Sequence, residues 1–228
     1  MLFTNLKTNL HHGRHLKIGN NPILQVNHKL KWDKHIEALA KRISKSYFIL
    51  NRVKHSLNRK HLRILYYSIV HPHLIYGLPI WGNTYQVHLS RIIILQKKII
   101  RTITGAQYDA HSEPLFKSVN ILKLQDLYKL QTSKYVMKSI NNTLPLALNS
   151  IFIYTRNIHQ QTRQHKFYKL IQPRARINVI TRSILNMGPK IWNEIDPSLY
   201  MNETKTYVIS ISGFVSRFKR HLLNNYSD

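Results

Sequence analysis

The first strong pattern of apolar and polar positions begins at Trp32. Apolar side chains recur there at steps of three and four residues, at Ile36, Leu39, Ala40, Ile43, Tyr47, Leu50 and Leu57. This spacing places them on one face of an α-helix, and Asp33 would lie in the first turn, where a carboxylate interacts favourably with the helix dipole. The opposite face carries Lys34, Lys41, Lys45 and Arg52. The pattern therefore predicts an amphipathic helix with a basic outer stripe.

A second helix is predicted after Asn58, whose side chain suits the N-cap position. Its inward positions would be Leu62, Leu65, Tyr66 and Ile69. The apolar stretch that follows is interrupted by Pro72, Gly77, Pro79 and Gly82, too closely for a membrane-spanning helix or a long strand. We therefore expect a buried, irregular connector between helices.

Two further helices are predicted from helical spacing. One has the inner face Leu89, Ile92, Ile93, Gln96, Ile99, Ile100 and Ile103, and Gly105 suits its C-terminal end. Its outer side carries Arg91, Lys98 and Arg101. The other spans about residues 122–140 and would end at the sequence Asn141, Asn142 and Pro145.

The two ends of the chain are less clearly patterned. Residues 1–30 are polar and rich in histidine, with a turn signal at 20–22, and they predict only a poorly specified lead-in. Residues 141–228 are basic, with short helical segments such as FVSRFKRHLLNN. We therefore expect a mainly α fold, with a helical domain at 31–140 and a looser C-terminal region at 141–228.

Charge narrows the function classes. The 228 residues include 35 Lys and Arg but only 9 Asp and Glu, for a formal net charge of +26. Nucleic acid is the obvious counter-charge, and an acidic partner protein or an anionic membrane surface is the rival.

No uninterrupted apolar run reaches the ~18 residues of a spanning helix, and the N-terminal residues lack the apolar core of a signal peptide. The chain has no cysteine, which excludes disulfides and thiolate metal sites; the compartment stays open, but nuclear or cytoplasmic is favoured over secreted.

Candidate catalytic residues are sparse. Asp33 with Glu37, and Glu194 with Asp196, are the closest carboxylate pairs, but helix-end charge and loop solvation explain them better than metal binding. His71 and His73 could approach one metal ion, yet no nearby carboxylate completes a ligand set. No glycine-rich phosphate loop is present. The sequence thus predicts no catalytic residue, no metal site and no cofactor.

The two basic stripes are the candidate binding site. Phosphate groups would contact the outer residues of the first and third predicted helices, namely Lys34, Lys41, Lys45, Arg52, Arg91, Lys98 and Arg101. The alternative is that these are ordinary solvated helix faces, and the sequence alone does not separate the two.

Three segments resemble one family in their order and spacing. They are KLKWDKHIEALAKRISKSYFILNRV, LRILYYSIVHPHLIYGLPIWG and LQKKIIRTITG, and they are similar to the region after the palm in reverse transcriptases of jockey-like non-LTR retrotransposons. The matching positions are Leu30, Trp32, His35, Ile36, Leu65, Tyr66, Pro72, Tyr76, Gly77, Trp81, Gly82, Leu95, Gln96 and Arg101. MGPKIWNEID and FVSRFKRHLL are similar to the closing elements of the family.

Two departures from the family matter. A strand normally precedes the Trp-containing helix, whereas here NNPILQV runs into NHKLKW, as though about a dozen residues were lost. The aspartate-bearing palm, which positions two metal ions in the family, is also missing before residue 30.

The resemblance implies a thumb-like helical bundle that holds RNA or DNA through phosphates. It also implies association with a polymerase palm that this sequence lacks, so the chain alone should be inactive as an RNA-directed DNA polymerase. The alternative is a basic helical interaction protein that docks on an acidic partner or a membrane surface.

Overall fold

The fold is described from a computed structural model, over residues 15–18, 21–25, 32–149, 151–153, 169–201 and 209–226. It begins with two antiparallel strands, β1 (His15–Ile18) and β2 (Asn21–Gln25), in which His15 lies opposite Gln25. The pattern of apolar positions does not predict this hairpin, because strands of four and five residues are too short for a clear alternation. β2 lies within the NNPILQV stretch, to which the sequence pattern assigns no element.

Helix α1 (Asp33–Val53) follows the predicted pattern closely. Ile36, Leu39, Ala40, Ile43 and Leu50 are buried in the core. Leu57 was assigned to the same inner face, and this was wrong: it lies beyond the end of the helix and is 37% exposed. The chain turns after Val53, so the helical spacing no longer determines which way Leu57 points.

Helix α2 (Arg59–Ile69) is capped as predicted, because the Asn58 side chain accepts a hydrogen bond from the backbone N–H of His61 at 3.1 Å. The segment after it is more regular than expected. It forms two short helices, α3 (His71–Ile75) and α4 (Leu78–Trp81), with Gly77 between them at φ 61°. Glycine adopts this left-handed conformation without steric cost, which explains how the connector turns so sharply.

Only one side of this connector is buried. Leu74, Leu78 and Trp81 are in the core, whereas Tyr76 and Ile80 are about half exposed. A β-carbon at Gly82 would lie 2.5 Å from the Tyr128 ring, so α4 approaches the next long helix at a distance that no larger residue allows.

Helix α5 (Gln86–Thr104) ends at Gly105, as predicted. Helix α6 (Ser112–Val119), which the sequence pattern does not predict, precedes α7 (Leu124–Ile140). α7 is the central element, because α3, α4 and further helices from the C-terminal region all pack against it. Its buried residues therefore occur on several sides, including Leu127, Thr132 and Val136.

The C-terminal region contributes to the same core. It contains α8 (Leu146–Asn149), α9 (Asn178–Thr181), α10 (Ile184–Glu194), a 3-10 turn at Pro197–Leu199 and α11 (Ile211–Asn224). The Trp192 ring of α10 packs against the Tyr200 ring, with 4.6 Å between the ring centroids. Phe214 of α11 is fully buried. Both α10 and α11 pack on α7. The division at residue 141 stays a prediction.

A polar cluster joins the last helix to the centre of the fold. The Tyr226 hydroxyl donates a hydrogen bond to Asp126 Oδ2 at 2.7 Å and accepts one from the backbone N–H of Lys123 at 2.9 Å. The Lys123 ammonium lies 4.1 Å from the Tyr226 ring centroid. Burial raises the pKa of the Tyr226 hydroxyl, and the Asp126 charge acts in the same direction, so the hydroxyl keeps its proton well above neutral pH.

The fold is mainly α, which confirms the predicted class. No helix in the described ranges is both long and apolar enough to cross a membrane.

Candidate nucleic-acid interface

Helices α1 and α5 pack side by side and run in the same direction. Near their N-terminal ends, the charges of Lys41 and Arg91 both act on the Glu37 carboxylate. At their C-terminal ends, Asn51 and Lys98 line one groove. Because the apolar faces of both helices turn into the core, their basic stripes lie on the outer surface of this helix pair. The fold therefore brings Lys41 and Arg91 near one carboxylate, whereas Lys98 and Arg101 are the predicted residues that line the groove.

The seven predicted residues differ in accessibility. Those that are well exposed are Lys34, Lys41, Lys45, Arg52 and Arg91. Lys98 and Arg101 are half-buried, because they border the groove between the helices.

Two residues of the α1 stripe have contacts within the helix. Lys41 Nζ lies 2.9 Å from Glu37 Oε1, one turn earlier. The hydrogen bond and charge of Lys41 hold the pKa of Glu37 below its ordinary value, and Arg91 contributes less. The Arg52 guanidinium lies 5.6 Å from the centroid of the Phe48 ring, which is itself 61% exposed. An exposed ion pair of this kind contributes little to stability, so Lys41 can exchange Glu37 for another anion at low cost.

Arg101 has a structural role. Its Nε and Nη2 atoms both donate to the backbone carbonyl of Ala110, at 3.1 and 2.9 Å. This fork of hydrogen bonds ties the loop between α5 and α6 to α5. Arg101 is therefore less available to a ligand than the sequence prediction implied, although its charge still faces the groove.

The groove at the C-terminal ends of α1 and α5 has a volume of about 460 Å³. Its lining residues are Tyr47, Asn51, Lys54, His55, Lys98, Arg101, Thr102, Gly105, Ala106 and Tyr108. The sequence pattern does not predict Lys54, His55 or Tyr108 as site residues. No local signal marks them, because only the parallel packing of α1 and α5 brings their positions together.

A second basic surface lies on α2, where Arg59, Lys60, Arg63 and Tyr67 line a groove of about 820 Å³. Its arginines are engaged by the protein itself. Arg59 Nη2 donates to Ser118 Oγ at 2.5 Å, and the Arg63 guanidinium lies 5.7 Å from the Tyr67 ring centroid. By contrast, the Lys54 and Lys98 ammonium groups have no hydrogen bond, ion pair or ring contact within the part of the chain that the structure describes.

Several carboxylates serve internal contacts. Besides Glu37, Glu113 pairs with Lys123, Asp126 binds Tyr226, and Asp196 Oδ1 accepts from the backbone N–H of Ser198 at 2.9 Å. Among the described residues, no group of three His, Asp or Glu side chains is placed to hold a metal ion.

His71 and His73 lie at the start of α3, in different surroundings. The His71 ring is 5.0 Å from the Tyr67 ring, centroid to centroid, and burial lowers its pKa, with a smaller effect from Lys219. Burial also lowers the pKa of His73, and the Arg42 charge acts in the same direction. Both therefore tend towards the neutral form.

Comparison with known proteins gives three retrotransposon polymerases of Drosophila melanogaster. The chain is 29% identical over 178 residues, 75% of its length, to the RNA-directed DNA polymerase from mobile element jockey, of which it covers 18%. It is 29% identical over 131 residues to the probable RNA-directed DNA polymerase from transposon X-element, covering 54% of this chain and 14% of that protein. For the probable polymerase from transposon BS the identity is 27% over 123 residues, or 54% and 12% of the two chains.

The resemblance inferred from the motifs is confirmed: the chain is similar to the reverse transcriptases of jockey-like non-LTR retrotransposons. It spans less than a fifth of the length of each of these relatives. No family model matches the chain. No solved structure matches it either.

Proposed function

We propose that this chain is a nucleic-acid-binding fragment of a retrotransposon reverse transcriptase, which holds RNA or DNA by its phosphates and performs no polymerisation alone. The observation that carries this proposal is the parallel packing of α1 and α5. It supports the proposal because the Lys41 and Arg91 charges meet at the Glu37 carboxylate near one end of the helix pair, and Lys54 and Lys98 line a groove at the other end. Cations along a helix pair are suited to a polyanionic backbone, because each phosphate contact releases bound counterions.

The charge balance of this surface supports the proposal. In α1, Asp33 and Glu37 are the carboxylates, and both lie in its first two turns. In α5 there is none. The C-terminal halves of both helices are therefore positive without internal compensation, apart from the partial negative charge of the helix ends.

The similarity to polymerases supports the choice of nucleic acid over an acidic protein. The relatives are named RNA-directed DNA polymerases, and each is much longer than the matched region. We propose that the chain positions a template and primer for chemistry that a polymerase palm performs, through association with that palm. Positioning contributes to catalysis without requiring catalytic groups in the binding module.

The test replaces the free cations and retains Arg101, because losing its bonds to Ala110 would disturb the loop after α5. The stripe variant changes six residues to Gln: Lys34, Lys41, Lys45, Arg52, Arg91 and Lys98. Affinity for RNA and DNA should fall alike for every base sequence, since phosphate contacts carry no base information. The slope of log affinity against log salt should shrink by about 0.7 per lost phosphate contact on single strands and about 0.9 on duplex DNA.

A charge-matched variant controls for net charge. It also removes six cations, from other exposed positions: Lys60, Lys129, Arg174, Arg176, Lys190 and Arg220. It should keep most of the affinity and the salt slope. If it instead loses more than the stripe variant, the binding surface lies elsewhere. Preference of the wild-type protein for anionic vesicles or an acidic protein over RNA and DNA would contradict the proposal.

A further inference from the structure

Tyr108 is placed unusually for an aromatic residue. It lies in the loop between α5 and α6, lines the basic groove, and is 82% exposed. Exposing a large ring to water forgoes the stabilisation that its burial would give. An exposed aromatic residue beside unpaired lysines is the arrangement that single-strand-binding proteins use for stacking on bases.

The loop that carries Tyr108 is held in place by hydrogen bonds. Arg101 binds the Ala110 carbonyl through two nitrogen atoms, two residues after Tyr108. The Ala110 N–H donates to the Gln107 carbonyl at 3.3 Å, and the Ala106 N–H donates to the Arg101 carbonyl at 3.1 Å. These contacts flank Tyr108 on both sides. The ring is thus presented by a fixed loop, which lowers the entropy lost when a ligand packs on it.

The groove provides the other parts of a nucleotide site. Lys54 and Lys98 can contact a phosphate, and the Asn51 amide can form hydrogen bonds to a sugar or a base edge. The Thr102 hydroxyl donates its proton to the Lys98 carbonyl at 3.1 Å, so it can only accept a hydrogen bond from the ligand. A volume of about 460 Å³ is within the ~300–1,000 Å³ of sites that hold one small ligand. The groove is therefore large enough for one nucleotide unit of a strand.

We propose that Tyr108 stacks on an unpaired base of single-stranded RNA or DNA whose phosphates contact Lys54 and Lys98. This inference rests on the proposed function and adds a preference for single strands, because a paired base does not offer its face to a side chain. Tyr108 is thus a binding residue that contacts an unpaired base of any identity.

The experiment compares three probes of equal length: a twelve-residue oligothymidylate, an abasic phosphodeoxyribose strand and a DNA duplex. In Tyr108→Ala, affinity for oligothymidylate should fall about 5- to 150-fold, the effect of removing one stacking side chain. Affinity for the abasic strand should not change, and the salt slope should stay as in the wild type because no phosphate contact is removed. Tyr108→Phe should bind all three probes as the wild type does.

Tyr76→Ala is the matched control, since Tyr76 is also an exposed tyrosine, 47% accessible, but does not line the groove. It should leave oligothymidylate binding unchanged. Equal affinity of Tyr108→Ala and wild type for oligothymidylate, or an equal loss on the abasic strand, would overturn the stacking role while leaving phosphate binding intact. A wild-type protein that binds none of the three probes would overturn the proposed function and this inference with it.

Discussion

Gln96 on α5 donates a hydrogen bond through Nε2 to the Tyr66 hydroxyl of α2, 3.1 Å away, and both side chains are buried. The same amide group donates to the Leu122 carbonyl at 3.0 Å and accepts from the Leu124 N–H at 2.9 Å. One side chain therefore connects α2, α5 and the start of α7. A buried polar residue with all its bonds made fixes how helices align, because any other arrangement leaves polar atoms without partners.

Gln96→Leu should destabilise the fold by about 2–6 kcal/mol. Leucine fills a similar volume, but the Leu124 N–H and the Leu122 carbonyl lose their partner in a dry interior, and each orphaned group costs about 1–3 kcal/mol. Urea unfolding followed by circular dichroism measures the difference. Gln125→Leu, at an exposed position of α7, should change stability by less than about 0.5 kcal/mol. Equal stability of the two variants would mean that the network contributes nothing.

Trp81→Ala should destabilise by about 3–5 kcal/mol, since the indole is fully buried and a cavity would remain. Its Nε1 also donates to the Tyr76 carbonyl at 2.8 Å, which closes the α3–α4 turn. Thermal melting and urea unfolding should agree on the loss. Val87→Ala, at a position 82% exposed, provides the comparison and should be near neutral. An unchanged melting transition in Trp81→Ala would contradict a core role for the connector.

The long helices could be predicted from sequence because each buries one continuous face. Helical spacing identified α1, α5 and α7, and the residue types at Asn58 and Gly105 located a cap and an end. The connector was expected to be irregular because Pro72 and Pro79 are poor helix residues in general. At the first turn of a helix, however, proline is tolerated, and both prolines lie there.

The candidate site was predictable only in part. The stripes follow from the periodicity of single helices, as at Lys45 and Arg91. The groove does not, because it depends on which helices become neighbours and in which direction they run. The Arg101 contact with Ala110 also follows from tertiary packing. The sequence shows the positive charge of Arg101 but not the hydrogen bonds that make it less available to a ligand.

Stability should fall between about pH 6.5 and pH 4 through His35. This imidazole is 7% exposed and lies 5.7 Å from the Trp81 ring, centroid to centroid. Burial lowers its pKa to about 4, and Arg42 contributes in the same direction. The unfolded chain therefore takes up a proton below about pH 6.5 that the folded chain does not accept until about pH 4. Each pKa unit of difference between the folded and unfolded chain corresponds to about 1.4 kcal/mol. The loss of folding stability through His35 therefore approaches about 3 kcal/mol.

His35→Gln isolates that effect, because glutamine does not titrate. Urea unfolding at pH 7 and pH 4.5 should show a smaller difference for the variant than for the wild type. His71 also has a lowered pKa, so part of the pH dependence should remain. The same difference in both proteins would show that His35 is protonated alike in the folded and unfolded states.

The purified chain should extend no primer when supplied with template, deoxynucleotides and magnesium. A polymerase of this kind needs carboxylates that hold metal ions at the primer end. In the described part of the chain, the carboxylates of Glu37, Glu113 and Asp126 contact a lysine or a tyrosine and do not form a pair.

Extension is measured on a labelled primer, with an active reverse transcriptase added to a parallel sample to verify that the substrate is competent. Magnesium-dependent extension that co-purifies with the protein through two unrelated separations would contradict the proposal that polymerisation requires a separate palm. If the chain extends no primer but retains the labelled primer and template, its role is to hold nucleic acid without performing chemistry.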